Sequence, residues 1–557
     1  MNATPDLEQQ AALLGRQGNH QQAIEIYDRL LREGGNRFDA LNNRGVNLAS
    51  LQRLHEAIAS FELALAVRPD SFEAWNNRGL ALAKLGIAAD ALASFQRAID
   101  LCPDYVEALS NAGDLLASLG RADEAFRVFE RLATLVPDSR AALIRKGNAL
   151  TALRRYEEAL ACYERMLAAD PADLDALNNR GTMLDKLGKP EEALAEIERV
   201  LARKPDFLAA MRNRAGLLGR LGRLEEALDC YAEMKMIQPT FPDAYAHEAL
   251  LHLRRGDYKK GFQGFEWRFL ERSMGPERRD FQRPLWTGRP DLRNRSILVH
   301  AEQGLGDIIQ FVRYIPLLAD RGAEVVLELP PALVPLVKVL KGVHRVIEYG
   351  TPPPQTDFQI PLLSLPLAFG TTLDTVPCAI PYLAMEPEAV ESWRAKLRQG
   401  REKLVGISWR GNPDYPFDKE RSIRFADFAP LLTATGARFV SLQKDMTEEE
   451  RHLSASLRMV QPGLDFKSTA EIVSALDLVI TVDTAWSHWA GAIGVPVWVL
   501  LSHTPHWAWL LERDDSPWYP TARLFRQSSP GDWKAVIRRA REALSKGPAK
   551  KKARSSS

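Results

Sequence analysis

At 557 residues the chain has room for several domains, and 73 Lys and Arg against 72 Asp and Glu leave a net charge of +1. A balance this close to zero supplies no global field for nucleic acid, and a hydrophobic share of 46% is ordinary for a globular protein. The four cysteines (Cys102, Cys162, Cys230 and Cys378) lack metal-ligand or disulfide-framework spacing. Residues 1–10 are polar and carry no secretory pattern, and no run of about 18 apolar residues is present. The expectation is a soluble protein in a reducing, cytoplasmic setting.

The first half repeats. Gly45, Gly79, Gly113, Gly147 and Gly181 stand 34 residues apart, with Ala215 in the next place. Ala57, Ala91, Ala125, Ala159, Ala193 and Ala227 keep the same step. So do Phe61, Phe95, Phe129, Tyr163 and Tyr231, with Ile197 substituting once. Pro69, Pro103, Pro137, Pro171, Pro205 and Pro239 close the units. Small residue, alanine, aromatic and proline at this period is the tetratricopeptide pattern. The small residues let two helices approach, and proline cannot continue the second. An earlier unit fits around Ala23 and Tyr27, and a degenerate one around Ala249 and Phe265. About eight units over residues 4–270 are expected to form an α-solenoid with a concave groove.

The sixth position of each first helix is Asn43, Asn77, Asn111, Asn179 or Asn213, broken only by Arg145. Residues three, four and seven away share its face, and these include Val46, Ser50, Lys84, Asp114, Thr182 and Lys186. Each carboxamide can donate to a peptide C=O and accept from a peptide N–H whatever the side chain, so the row suits an extended acceptor peptide. The competing reading is that Asn-Asn-Arg-Gly (42–45, 76–79, 178–181) satisfies neighbouring repeats. The row resembles the asparagine ladder of O-GlcNAc transferase. The recurring Arg44, Arg78, Arg180 and Arg214 are read as snorkelling between units.

Beyond Phe269 the period is lost. A connector over 271–295 leads to alternating strands and helices, read as two Rossmann-like lobes at 296–380 and 403–545. A linker over 381–402 joins them, and a basic, disordered tail follows at 546–557. Strands are expected at 296–302, 324–329, 345–349 and 357–360. The second lobe should carry strands at 403–409, 438–443, 459–461, 478–482 and 496–501.

The first lobe opens on Val299-His300-Ala301-Glu302-Gln303-Gly304-Leu305-Gly306-Asp307. Gly304 and Gly306 let backbone approach a ligand at a strand-to-helix turn. Asp307 ends the turn with a carboxylate, unhelpful for holding phosphate but suited to taking a proton. It is the candidate general base. In the second lobe Asp483 and Thr484 stand where a strand gives way to a helix, a seat for phosphate and sugar hydroxyls. Plain N-capping is the alternative. His488 reads equally as ligand contact or helix filling. Arg410, Arg421 and Lys419 are candidates to neutralise a diphosphate, with Asn412 and Ser422 in the same loop. Gln443 and Lys444 stand at the same sheet edge. Trp507, Trp509, Trp518 and Tyr519 read as core near the cleft.

Together, Glu302-Gln303-Gly304-Leu305-Gly306-Asp307, Trp409-Arg410-Gly411-Asn412, Arg421-Ser422, Leu442-Gln443-Lys444 and Asp483-Thr484-x-x-x-His488 resemble the heptosyltransferase-like glycosyltransferases of the GT9-related group. More closely they resemble bacterial fusions of tetratricopeptide repeats to such a domain, flagellin glycosyltransferases among them. The resemblance implies a metal-independent GT-B enzyme without a cofactor, with Asp307 as base and the second lobe holding a nucleotide-sugar co-substrate. One departure is Ala485-Trp486 after Thr484, where that family has glycine. It narrows the space at the phosphates and counts against an ADP-heptose donor. The resulting expectation is inverting transfer of a sugar to Ser or Thr of a protein held by the repeats. Two alternatives stand beside it: a peptide-binding scaffold with an inactive domain, and a transferase acting on lipopolysaccharide or another glycan.

Overall fold

The computed structural model describes residues 3–34, 36–271, 279, 281–337, 339–413, 415, 418–457, 459–462 and 465–546. Residues 272–278 and 280 of the expected connector, and the expected basic tail from Gly547 on, lie outside them.

Sixteen helices come first among the described residues, in consecutive pairs. They are α1 (Ala3–Arg16) and α2 (His20–Glu33), α3 (Arg37–Ser50) and α4 (Leu54–Val67), α5 (Phe72–Lys84) and α6 (Ala88–Leu101), and α7 (Val106–Ser118) and α8 (Ala122–Leu135). Then come α9 (Arg140–Ala152) and α10 (Tyr156–Ala169), α11 (Leu174–Lys186) and α12 (Pro190–Arg203), α13 (Leu208–Arg220) and α14 (Leu224–Ile237), and α15 (Pro242–Arg255) and α16 (Tyr258–Phe265). Local chemistry starts them: the Ser71 and Asp173 side chains accept from the backbone N–H groups of Ala74 and Ala176, capping α5 and α11. The periodic glycine has a packing cause. A Cβ on Gly79 would lie 2.6 Å from the Phe95 ring, and one on Gly113 would lie 2.3 Å from Phe129. Glycine thus lets the first helix of a pair meet the aromatic ring of the second.

The later part of the chain carries two parallel sheets. The first holds β1 (Arg295–His300), β2 (Ala323–Leu329), β3 (Val343–Glu348) and β4 (Phe358–Pro361) in the order β3-β2-β1-β4. Between β1 and β2 run α17 (Leu305–Phe311) and α18 (Ile315–Asp320), and α19 (Leu365–Ala368) and α20 (Pro387–Leu397) follow β4. The second sheet holds β5 (Lys403–Ser408), β6 (Ala437–Ser441), β7 (Leu478–Val482), β8 (Val497–Leu501) and β9 (Ala522–Arg526) in the order β6-β5-β7-β8-β9. Its helices are α21 (Asp418–Arg421), α22 (Phe425–Phe428), α23 (Glu448–Ser456), α24 (Phe466–Ala475), α25 (Ala485–Ala492) and α26 (Trp533–Ser545). All five residues of β7 are buried, as a central strand covered on both faces requires. Two expectations are corrected. The segment 459–461 makes only an isolated bridge, Val460 to Val440. The edge strand β9 falls outside the expected strands, because Ala-Arg-Leu-Phe-Arg sets only two large apolar residues between two arginines.

The chain forms two compact units, Met1–Asn213 and Arg214–Ser557, divided inside α13. The expected boundary near residue 270 is therefore not where compactness changes. Leu253, Tyr258, Phe262 and Phe265 share one buried core with Phe311, Trp507 and Trp518, so α15 and α16 are built into the unit that carries the sheets. The Tyr258 hydroxyl accepts from Trp518 Nε1 at 2.7 Å.

Candidate functional site

In the first unit the asparagines pair along the repeats. Asn77 Nδ2 donates to Asn42 Oδ1 at 3.3 Å, Asn111 Nδ2 to Asn76 Oδ1 at 2.9 Å, and Asn213 Nδ2 to Asn178 Oδ1 at 2.9 Å. Asn43 engages the Tyr27 hydroxyl. The partners Asn76 and Asn178 are buried, while Asn43, Asn77, Asn111, Asn179 and Asn213 are half-buried. The amide ends of Asn77, Asn111 and Asn213 therefore hold neighbouring repeats together, as the packing reading required. The half-exposed remainder faces outward: Asn77 lines a cavity of about 170 Å³ with Val46, Ser50, Leu80, Lys84 and Phe61. The recurring arginines also have a structural task. Arg78 donates to Glu62 of α4 at 2.9 Å and to Ser94 of α6 at 2.7 Å, and Arg44 pairs with Asp28 of α2 at 2.6 Å.

In the second unit, β1 runs into the Glu302–Asp307 turn. Glu302 is buried and paired with Arg268, Oε1 to Nη2 at 2.6 Å and Oε2 to Nε at 3.0 Å. Arg268 also donates to Ser364 at 2.9 Å. Gln303 takes φ 62°, a conformation uncommon for any residue but glycine. Gly304 is exposed and its N–H donates to Asp307 Oδ2 at 3.2 Å. The Asp307 carboxylate thus caps its own helix start while staying half-exposed. A Cβ on Gly306 would lie 2.9 Å from His488 Cδ2 and 3.6 Å from Ala485 Cα. Glycine is what lets α17 of the first sheet close onto α25 of the second.

Across that contact, Thr484 caps α25 by accepting from Trp486 N–H at 3.3 Å. His488 is buried, shares a hydrogen bond with the Tyr519 hydroxyl at 3.0 Å, and points Nε2 at Asp483 Oδ1 from 3.8 Å. That separation exceeds a hydrogen bond. Burial pulls the Asp483 carboxyl upward, but His488, His506 and Arg421 outweigh it and hold it down at about 2. Arg421 donates to Asp483 O at 2.8 Å and pairs with Asp418 at 2.9 Å. Ser422 Oγ accepts from Gly411 N–H and donates to Asp418, at 2.9 and 2.8 Å.

Two expected donor contacts, Arg410 and Gln443, are turned elsewhere. Arg410 pairs with Glu450 of α23, Nη1 to Oε1 at 2.9 Å and Nη2 to Oε2 at 3.1 Å. Glu450 is buried and also accepts from Trp409 Nε1 at 3.1 Å, so it requires a cation beside it. Gln443 Oε1 accepts from Arg410 N–H at 3.1 Å and Ser408 Oγ at 3.2 Å, so the amide oxygen ties the β5 edge to the β6 edge. Trp507, Trp509, Trp518 and Tyr519 are all buried and are core. Asn412 and Lys444 are exposed.

The residues not anticipated are Tyr415, His503 and His506. The two histidines stand in the loop after β8, at the same carboxyl edge as Asp483 after β7. Burial lowers the His506 ring from its ordinary value, with Asp307 and Asp483 pulling the other way. Removal from water, Asp483 and Asp307 push the Tyr415 hydroxyl up to about 12, against Arg421. Asp307 and Asp483, from different sheets, therefore act on the same two side chains. Applying the strand-edge rule to β8 as well as β7 would have found His503 and His506 in the sequence. Among the described residues no group of three or more His, Cys, Asp or Glu is placed to hold a metal ion, and no helix is long and apolar enough to cross a membrane.

Comparison with known proteins decides the first part of the chain. A tetratricopeptide-repeat family model matches residues 9–66, 47–106, 89–140, 110–174, 144–186 and 178–240. The N-terminal helices are tetratricopeptide repeats. Protein FlbA of Caulobacter vibrioides is 28% identical over 351 residues, which cover 57% of this chain and 57% of that protein. The chain thus spans little more than half of that relative's length. The covered share exceeds what residues 9–240 make up, so the likeness runs past the repeats that the family model matches. Among solved structures, a tetratricopeptide-repeat protein from Parabacteroides merdae is 19% identical, with a TM-score of 0.36 over 45% of this chain and 99% of its own. YrrB, described as having an unusual peptide-binding site, is 22% identical, with a TM-score of 0.29 over 34% and 98%.

Proposed function

We propose that the protein is a glycosyltransferase of GT-B type that moves a sugar from a nucleotide-sugar to a Ser or Thr hydroxyl of a protein presented by its tetratricopeptide repeats. The observation that carries the reading is the close approach at Gly306 and His488. It brings the carboxyl-edge turn of β1 against that of β7, where parallel sheets bind ligands. Asp307 Oδ1 and Oδ2 offer a half-exposed acceptor for the hydroxyl proton. The freed oxygen attacks the anomeric carbon, and the bond from that carbon to the nucleotide phosphate breaks with its electron pair leaving on the phosphate. Arg421, the start of α25 at Thr484, and Asp483 toward sugar or ribose hydroxyls form the opposing side. Arg410 has a supporting part, since its guanidinium is matched by Glu450. The face marked by Asn43, Asn77, Asn111, Asn179 and Asn213 carries the acceptor, and flagellin is the first acceptor to test.

Asp307→Asn keeps an acceptor for the Gly304 N–H and removes the base. Turnover with a nucleotide-sugar and a protein acceptor should fall by roughly 10²–10⁴-fold with the melting temperature unchanged. Wild-type turnover in that variant sinks the base assignment. Intact masses of proteins from cells with and without the chain identify acceptor and sugar together.

A scaffold is the second reading, favoured by the engagement of Asp307 as a cap and of Arg410 by Glu450. A scaffold gives no saturable thermal-shift response to nucleotides or nucleotide-sugars.

A further inference from the structure

Arg254 lies in the last turn of α15, which packs against the 507–509 turn directly after His506. Its surroundings are poorly matched to a partly buried cation. Nε is buried and has no hydrogen-bond partner among the described residues. Nη1 reaches Gly219 O at 3.4 Å, beyond the usual range for an N–H donor. The Glu420 carboxylate that bears on it is paired with Arg220 at 3.3 Å. A guanidinium keeps its charge when buried, so unused donors in such a place are costly unless something arrives to use them.

Position says what arrives. α15 packs on the 507–509 turn, and the His506 ring just before that turn feels Arg254 together with Asp307, Asp483 and His488, so the Arg254 charge bears on the edge after β8. Of the arginines expected to serve an anion there, Arg410 is taken by Glu450 and Arg421 is already shared with Asp418, which leaves work for a further cation. A guanidinium with an unpartnered Nε–H matches a phosphate oxygen in charge and direction.

We propose that Arg254, contributed by the first helix of the last repeat pair, is an anion-binding residue that takes the phosphate oxygens of a diphosphate ligand at the carboxyl edge of β5, β7 and β8. The proposal rests on the nucleotide-sugar reading for the identity of that ligand. It means the repeats complete the donor site as well as hold the acceptor.

The test is calorimetric titration of the full chain with inorganic pyrophosphate at fixed ionic strength, using wild type, Arg254→Gln and Arg254→Lys. Wild type is expected to saturate, Arg254→Gln to bind at least 10-fold more weakly, and Arg254→Lys to recover part of the loss. The melting temperature of Arg254→Gln should hold or rise, because an under-bonded buried charge is removed. Equal pyrophosphate affinity in wild type and Arg254→Gln overturns the proposal. If Arg254→Gln does not fold, Arg254→Lys decides: it keeps the charge but loses the fork, and wild-type affinity in it overturns the proposal too. Pyrophosphate binding that depends on Arg254, with no sugar transferred, supports this inference and sinks glycosyl transfer. Sugar transfer with an unchanged donor KM in Arg254→Gln does the reverse. A wild-type chain that binds no pyrophosphate overturns the anion-binding role itself.

Discussion

Asp483 and His506 share one electrostatic cluster but lose their contributions to stability in different pH windows. The His506 ring is depressed below its ordinary 6.5, so the unfolded chain takes a proton there more readily than the folded one. Its contribution is complete above about pH 6.5 and is lost as pH falls through the depressed folded value. Asp483 is held at about 2 against an ordinary 3.8, so its contribution is intact above about pH 4 and is lost only toward pH 2. The melting temperature should therefore fall between pH 7.5 and pH 5, and His506→Gln should flatten that slope. An unchanged slope would remove His506 as its source. At this scale Asp307, Asp483 and Thr484 were legible because strand, turn and helix start adjoin in sequence. The partner of Arg410 was not: Glu450 lies 40 residues on and meets it only through the β5–β6 pairing.

The repeat pair is an element whose energetics follow from two contacts. Gly79 faces the Phe95 ring, and a methyl group there would sit 2.6 Å from Cε1. Gly79→Ala should cost about 1–3 kcal/mol through overpacking, read by chemical denaturation against Gly86→Ala, where the added Cβ meets nothing and the strain comes from a φ of 78°. The asparagines carry a second contact. Asn111 Nδ2 bonds Asn76 of the preceding repeat at 2.9 Å, so Asn111→Ala should cost about 0.5–1.5 kcal/mol whether or not a peptide is bound, and more if the buried Asn76 oxygen is left without a partner. Peptide affinity must therefore be compared at matched folded fraction. The period in the sequence showed both positions but not the direction of the amides. An asparagine that can serve a ligand or a neighbour is assigned by the helix that stands beside it.

For the whole chain, the second unit is built around buried charge as well as apolar core. Arg268 and Glu302 are 1% and 4% exposed and meet at 2.6 Å, joining the segment after α16 to the turn after β1. Arg268→Ala leaves Glu302 buried and unpaired, and should destabilise the second unit by about 3–5 kcal/mol. Arg268 and Glu302 replaced together by Met and Gln should recover most of that loss, and failure to do so would mean the charges matter beyond pairing. Arg313 plays a like part between the sheets. Its guanidinium donates to Gln310 O, Pro377 O, Trp518 O and the Tyr382 hydroxyl at 2.7, 3.0, 2.6 and 2.9 Å.

By itself the sequence determined whatever repeats or adjoins: the 34-residue helix pairs, the glycines that meet aromatic rings, and the strand-to-helix turns ending in Asp307 and Asp483. These depend on side-chain size, period and backbone freedom within a few dozen residues, all written locally. Tertiary structure alone decided that α15 and α16 belong to the sheet-bearing unit, that Glu450 takes Arg410, and that Arg254 reaches the neighbourhood of His506. Those outcomes turn on which apolar faces share a core and which charges meet within it, and both depend on distances between residues far apart along the chain.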